Sequence, residues 1–161
     1  MVFKNDAQLK AFLMAKCKNA LIQAQERVYQ IVDTFVKEFY DDYTPEMYQR
    51  TYQLYRSLVK SDIIPTGNGY KAEVYFDLDG LKYSKYPWQG GNVPTGEQVF
   101  DAAKYGLHGA IGSAGGGYQF FHKFGDNGIS IWYDPIRELD TKAIDILVDM
   151  LRAEGIPVKK G

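Results

Sequence analysis

The chain of 161 residues is short of the residue types that most chemistry needs. It has one cysteine, Cys17, and two histidines, His108 and His122. A single cysteine excludes an intrachain disulfide and any multi-cysteine zinc site. Cys17 itself is expected to be a small buried hydrophobe in a long helix, the ordinary fate of a free thiol. No stretch approaches the roughly 20 apolar residues of a membrane span. The opening residues MVFKNDAQLK are too polar for the core of a signal peptide. No block of one charge stands out either: 19 basic and 20 acidic residues leave a net charge of −1, without the basic footprint of a nucleic-acid binder. These absences point to a protein made in a reducing cytoplasm, with no membrane and no cofactor.

Glycine is missing from the first 66 residues, and 14 of the 16 glycines lie between Gly67 and Gly128. That partition predicts an α+β fold: a long N-terminal helix, a small antiparallel sheet with a long inserted loop, and a closing C-terminal helix. With 45% hydrophobic residues in a chain of this length, a single domain can bury roughly two-thirds of its unfolded surface. Residues 6–41 read as one helix. Leu9, Leu13, Cys17, Ala20, Ala24, Val28, Ile31, Phe35 and Phe39 recur at spacings of three and four, and Asn5 or Asp6 can cap its start. At 1.5 Å per residue it reaches roughly 50 Å, more than the diameter of a small domain. Part of its apolar face should therefore outrun its own core and need a partner subunit. Residues 45–77 read as a joint and hairpin. Thr44 and Pro45 start a second helical patch carrying Tyr48, Tyr52, Tyr55 and Leu58. Strands 58–64 and 70–77 then flank an irregular turn from Pro65 to Gly69. Residues 78–128 form the glycine-rich region, with one weak helical patch at Gly96–Tyr105. Residues 129–155 supply a strand, Ile129–Tyr133, with Trp132 in the core. A helix from Asp140 to Ala153 follows, with Ala143, Ile146, Leu147, Met150 and Leu151 inward and Gly155 as its C-cap.

What is abundant is tyrosine. Nine of the 13 lie between Tyr40 and Tyr86. The run Tyr40 to Leu58 sets five of them around Pro45, Arg50 and Arg56. Rigid amphipathic side chains of this kind are enriched in interfaces. Tyr43, Pro45, Tyr48, Arg50, Tyr52, Tyr55 and Arg56 are therefore the candidate subunit interface, with the arginines expected to pair with Asp41, Asp42 or Glu46 of a neighbour. Trp88, His108, Tyr118 and His122 in the glycine-rich region are the candidate lumen or inter-ring loop.

Catalytic readings find less to stand on. His108 and His122 have no second histidine or acid at metal-ligand spacing. The run Gly106–Gly117 lacks the Gly-Lys-Ser/Thr ending of a phosphate loop, and neither Ser113 nor Ser130 sits in a nucleophile elbow. A small metal-independent nuclease or toxin would have to use His108 or His122 with lysine or tyrosine partners. A ligand-binding module would use Trp88, Tyr83 and Tyr86 as stacking rings. The expectation is that the chain is not an enzyme.

The order of elements resembles the tail-completion, or head–tail joining (neck), proteins of tailed bacteriophages and prophage elements. The resemblance rests on Tyr43-Thr44-Pro45 with Arg50, Thr51, Leu54, Ser57 and Leu58 after the long helix, and on Asp134-Pro135-Ile136-Arg137 before the last one. Where the family pattern reads Val-Asp-Thr-Gly, this chain has Glu46 to Gln49. The resemblance implies a structural virion protein, assembled in the host cytoplasm into a homo-oligomeric ring, sixfold or twelvefold. Such a ring joins the capsid connector or adaptor to tail-tube or tail-terminator proteins, and DNA passes its lumen without sequence-specific binding.

Overall fold

The computed structural model describes residues 2–44, 51–83, 93–108 and 123–159. It is α+β, with a long first helix, small antiparallel sheets and a closing helix. α1 spans Asp6–Asp41 and α2 spans Gln53–Arg56. β1 (Leu58–Lys60), β2 (Ile64–Thr66), β3 (Gly69–Lys71) and β4 (Val74–Phe76) follow. Then come α3 (Gly96–Lys104), β5 (Leu107–His108), β6 (Lys123–Phe124) and α4 (Tyr133–Ala153). The chain divides into two compact units. One comprises Met1–Gln30, Lys60–Val74 and Leu139–Gly161; the other comprises Ile31–Val59 and Tyr75–Glu138.

In the first unit, α1 begins where Asn5 caps it: the Asn5 side-chain oxygen accepts from the Gln8 amide at 2.9 Å, and Gln8 reaches back to the amide of Lys4. β2 and β3 form a hairpin in register Ile64↔Lys71, Pro65↔Tyr70 and Thr66↔Gly69. The turn is therefore Gly67-Asn68 alone, tighter than the Pro65–Gly69 turn the sequence implied. Pro65 survives inside the strand because pairs alternate along an antiparallel ladder. The pair beside a two-residue turn is hydrogen-bonded, and the next, Pro65↔Tyr70, needs no proline N–H. The expected continuous strands are interrupted at 61–63 and 72–73. There Gln25 of α1 donates from its amide to the carbonyls of Ser61 and Glu73, both at 2.9 Å, while Ser61 and Glu73 bond each other through Ser61 N–H and Ser61 Oγ. Lys60 pairs with Glu26 and lies over the Tyr29 ring.

α4 ends in this unit as the sequence predicted. Gly155 adopts a left-handed φ of +81°. Its N–H donates to the Arg152 carbonyl and that of Ile156 to the Leu151 carbonyl, the paired bonds of a Schellman motif. Glu154 then ties the helix end to α1 by accepting from Lys16 at 3.0 Å and Gln23 at 2.9 Å. The Lys16 hydrogen bond holds the Glu154 carboxyl below its ordinary value. Among the described residues of this unit, only Ala20 and Ala24 are buried hydrophobics.

The second unit has the larger core: Ile31, Val36, Phe39, Leu54, Leu58, Phe100, Ala102, Ala103 and Ile131 are buried. Phe100 carries its centre, packed on Phe76 at 4.9 Å and edge-on to Trp132 at 5.9 Å. The weak helical patch is a capped helix. Thr95 and Gln98 exchange side-chain-to-amide bonds in a full capping box at the start of α3.

Several sequence expectations are corrected here. Ile129–Tyr133 is no strand. Ser130 Oγ accepts from the amides of Trp132 and Tyr133, and the Asp134 carboxylate accepts from the amide of Ser130, so the segment is the N-terminal cap of α4. The closing helix consequently starts at Tyr133, seven residues before Asp140, with Pro135 in its first turn, where a missing N–H costs nothing. Trp132 lies in the turn before it and is partly exposed. Tyr52 and Leu58 do not continue a helix: Tyr52 precedes α2 in a left-handed conformation and Leu58 opens β1. Of the α4 residues expected inward, Ala143 and Leu147 are exposed.

Gly106 is closely enclosed by backbone. Its φ is +75°, and a Cβ there would lie 2.6 Å from the Gly128 carbonyl oxygen. Gly155 shares the positive φ but faces open space. Gly106→Ala should therefore lower stability by about 3 kcal/mol, strain and overlap together. Gly155→Ala should cost about 1 kcal/mol, both read from urea midpoints at unchanged m-value.

Candidate assembly surface

α1 ends on a cluster of rings. Phe39 is buried, and the helix turn carries Tyr40 beside it, the two rings edge-on at 5.6 Å. Tyr40 then stacks on Tyr52 at 5.1 Å and meets Tyr55 edge-on at 6.1 Å. Tyr52 holds φ 54°, a conformation that costs a non-glycine residue about 1 kcal/mol. The stacking on Tyr40 offsets that strain, and the residue remains 45% exposed. The Tyr55 hydroxyl is raised above its ordinary range, first by burial and then by its bond to Asp33. Asp33 in turn holds Lys37 at 2.6 Å one helical turn on.

The interface residues named from sequence thus divide. Tyr43, Tyr52, Tyr55 and Arg56 are described, and Tyr52 and Tyr55 share the ring cluster with Tyr40. Pro45, Tyr48 and Arg50 lie outside the described residues, as do Trp88, Tyr118 and His122. Arg56 donates to the Thr51 carbonyl at 2.6 Å within its own loop. Leu54, Ser57 and Leu58, the remainder of that motif, are buried. Ser57 donates its hydroxyl to the Leu54 carbonyl, closing α2.

Of the acids offered as partners for a neighbour's arginine, Asp41, Asp42 and Glu46, Asp42 is taken up within its own chain. Its carboxylate is buried and accepts from the Asn127 amide at 2.8 and 3.1 Å and from the Asn127 side chain at 2.6 Å. Its carbonyl accepts from the amide of Asp126. A negative charge at a helix C-terminus is disfavoured by the helix dipole, so these donors are what hold it. Burial pushes the Asp42 carboxyl up, but the bonds from Asn127 and from the amides of Ile129 and Gly128 outweigh it and leave it below the ordinary aspartate value. Gly125 is required beside it, since a Cβ there would overlap the carboxylate.

His108 is not displayed on a lumen loop. It sits in β5 paired with Lys123, 4% exposed, stacked face to face on Phe39 at 4.0 Å and tilted against Tyr43 at 4.6 Å. A histidine walled by two rings is a packing residue and a poor general base for an outside substrate. Cys17 is likewise relocated: it is exposed on α1. Among the described residues, no group of three His, Cys, Asp or Glu side chains could hold a metal ion, and no helix is long and apolar enough to cross a membrane.

What sequence reasoning missed is the Asp42 clamp and the exposed rings around α3 and α4. Lys104 lies over Phe100 and Trp132, and Tyr105 meets Tyr133 at 5.6 Å. The signal for the clamp was present as Gly125-Asp126-Asn127-Gly128, a dense run of turn formers, but its partner lies 85 residues away.

A family model, YomN, matches residues 5–144. The chain belongs to the YomN family. That family is phage-derived, of the Bacillus SPbeta prophage type. The match runs from the Asn5 cap through the Asp42 clamp and into α4. No curated protein and no solved structure matches the chain.

Asp42→Ala should lower stability by about 3 kcal/mol near neutral pH, because several buried donors lose a charged acceptor. A depressed folded-state pKa stabilises above the unfolded value, roughly pH 4, and that contribution vanishes as pH falls through the folded value. The stability gap between wild type and Asp42→Ala, measured by denaturant titration from pH 7 to pH 2.5, should therefore be widest above pH 4 and narrow below it.

Proposed function

We propose that this YomN-family chain is a structural protein of the phage head–tail joint. In this reading it forms a ring that connects the capsid connector or adaptor to the tail tube or its terminator. The ring would be assembled in the host cytoplasm and carried in the virion, with DNA passing its lumen without sequence-specific contacts. The chain would act as a scaffold and carry out no reaction.

The observation that carries the reading is the kind of surface a phage-derived chain exposes here. Tyr52, stacked on Tyr40 of α1, is 45% exposed while held in a strained backbone conformation. Leu9, Leu13, Ile144 and Leu147 stand exposed on helices. Large rigid or apolar groups in such positions are what a subunit interface uses. The Tyr40–Tyr52–Tyr55 stack presents one of them from a braced base, which lowers the ordering cost of association. The burial of His108 between Phe39 and Tyr43 takes away one of the two histidines that a nuclease reading could use.

Tyr52→Ala separates assembly from folding. Alanine keeps the strained φ and loses the stack on Tyr40, a cost of about 1 kcal/mol, so the thermal midpoint should move by only about 3 °C. Ring formation, followed by light scattering across a concentration series with connector and tail components added, should fall by at least about tenfold in apparent affinity. Wild-type protein that stays monomeric with every such component overturns the proposal. Normal rings from the variant remove Tyr52 from the interface.

A further inference from the structure

The first unit carries two apolar stripes of its own. On α1, Leu9, Leu13 and Cys17 follow one another at a spacing of four. They are the N-terminal continuation of the face that buries Ala20 and Ala24. Leu9 and Leu13 are nonetheless 39% and 40% exposed, and with Asp6, Lys10 and Met14 the stripe forms a shallow groove of about 340 Å³. On α4, Ile144 and Leu147 are 66% and 42% exposed. A unit whose buried hydrophobics, among the described residues, are two alanines has too little core of its own and two unpaired helix faces.

We propose that these two stripes cover each other between copies of this chain: the Leu9–Leu13–Cys17 groove of one subunit takes the Ile144–Leu147 stripe of the next.

Charge selects this pairing. Lys16 and Glu154 neutralise each other within the unit. Through residue 18, α1 and its lead-in then retain Lys4, Lys10 and Lys18 against Asp6, a positive excess. α4 beyond Leu139 retains Asp140, Asp145 and Asp149 against Lys142 and Arg152, a negative one. The alternative of α1 on α1 is disfavoured because both segments carry the same positive excess; a parallel pair also sets Lys10 against Lys10. Because the two stripes are different surfaces, the contact is head-to-tail. It leaves one free stripe at each end of any open chain and so propagates until a ring closes. The inference gives the proposed ring its joining contact and rests on that reading for closure, while the contact itself stands on the two stripes.

Cys17 lies in the groove and is the sole cysteine, which makes it a native reporter. Ile144→Cys and Leu147→Cys variants, oxidised mildly and run under denaturing conditions without reductant, should give a ladder of dimers, trimers and larger species. A head-to-tail disulfide leaves a free thiol at each end. Adding Cys17→Ser should abolish the ladder. Ile144→Glu, at a surface position where helical circular dichroism should be unchanged, should weaken self-association by about tenfold in light scattering. Wild-type protein that oxidises readily to a Cys17–Cys17 dimer overturns the pairing in favour of α1 on α1. Oligomers in light scattering without a ladder from either cysteine variant overturn the contact and leave the ring reading standing. A Cys17-dependent ladder in protein that never rings with connector and tail components supports the contact and overturns the ring.

Discussion

The Asp42 carboxylate and the loop that wraps it organise the second unit. The loop 125–129 closes on the carboxylate because its amides point inward and Gly125 leaves room. The next residues bind two more helix ends. The Gly128 carbonyl packs against Gly106 just past α3, Ser130 donates to the Lys104 carbonyl and Ile131 to that of Ala103, and Ser130 and Asp134 start α4. Residues 125–134 thus join the end of α1, the end of α3 and the beginning of α4. A helix terminus leaves four backbone groups without intrahelical partners, and here one short segment answers several of them at three termini. The buried Phe39, Phe100 and Ile131 are placed by that junction.

The two units answer burial differently. The second closes on aromatic side chains, with Phe39, His108, Phe76 and Phe100 filling its interior. The first relies on polar ties: Gln25 on two strand carbonyls, Glu154 on Lys16 and Gln23, Lys60 on Glu26. Such exposed ties fix geometry and contribute little free energy, since surface ion pairs are worth at most about 1 kcal/mol. Covering the exposed two-fifths of Leu9 and of Leu13 would together contribute about 1–2 kcal/mol, scaled from roughly 1.5–3 kcal/mol for a whole side chain. That comparison is the energetic reason to expect association through the first unit.

Helix boundaries were legible where the signal is local. The absence of glycine and proline before Thr44, the apolar spacing and the Asn5 cap define α1 within a residue, and Gly155 with its following proline defines the end of α4. The patch at Gly96 was visible, but its strength came from the Thr95–Gln98 box. The start of α4 was misread because Ile129–Tyr133 alternates like a strand and Pro135 looks like a stop. A cap made by Ser130 reverses both signals. The spacing from Tyr52 to Leu58 looked helical because three and four are also the spacings of a short turn entering a strand. The Tyr40–Tyr52–Tyr55 ring contacts fall where tyrosines crowd in the sequence, whereas the burial of His108 could not be read from a glycine-rich neighbourhood.

By itself, the sequence determined the α+β order, the length of α1, and the mismatch between that helix and any core a chain of this size can build, because these follow from residue spacing and fixed rise per residue. Tertiary structure alone decided which part of the α1 face goes uncovered, that Asp42 serves its own chain, and that Cys17 is outside and His108 inside. Each of those depends on which distant segment arrives at a given face, and neither apolar spacing nor turn chemistry carries that information across 85 residues.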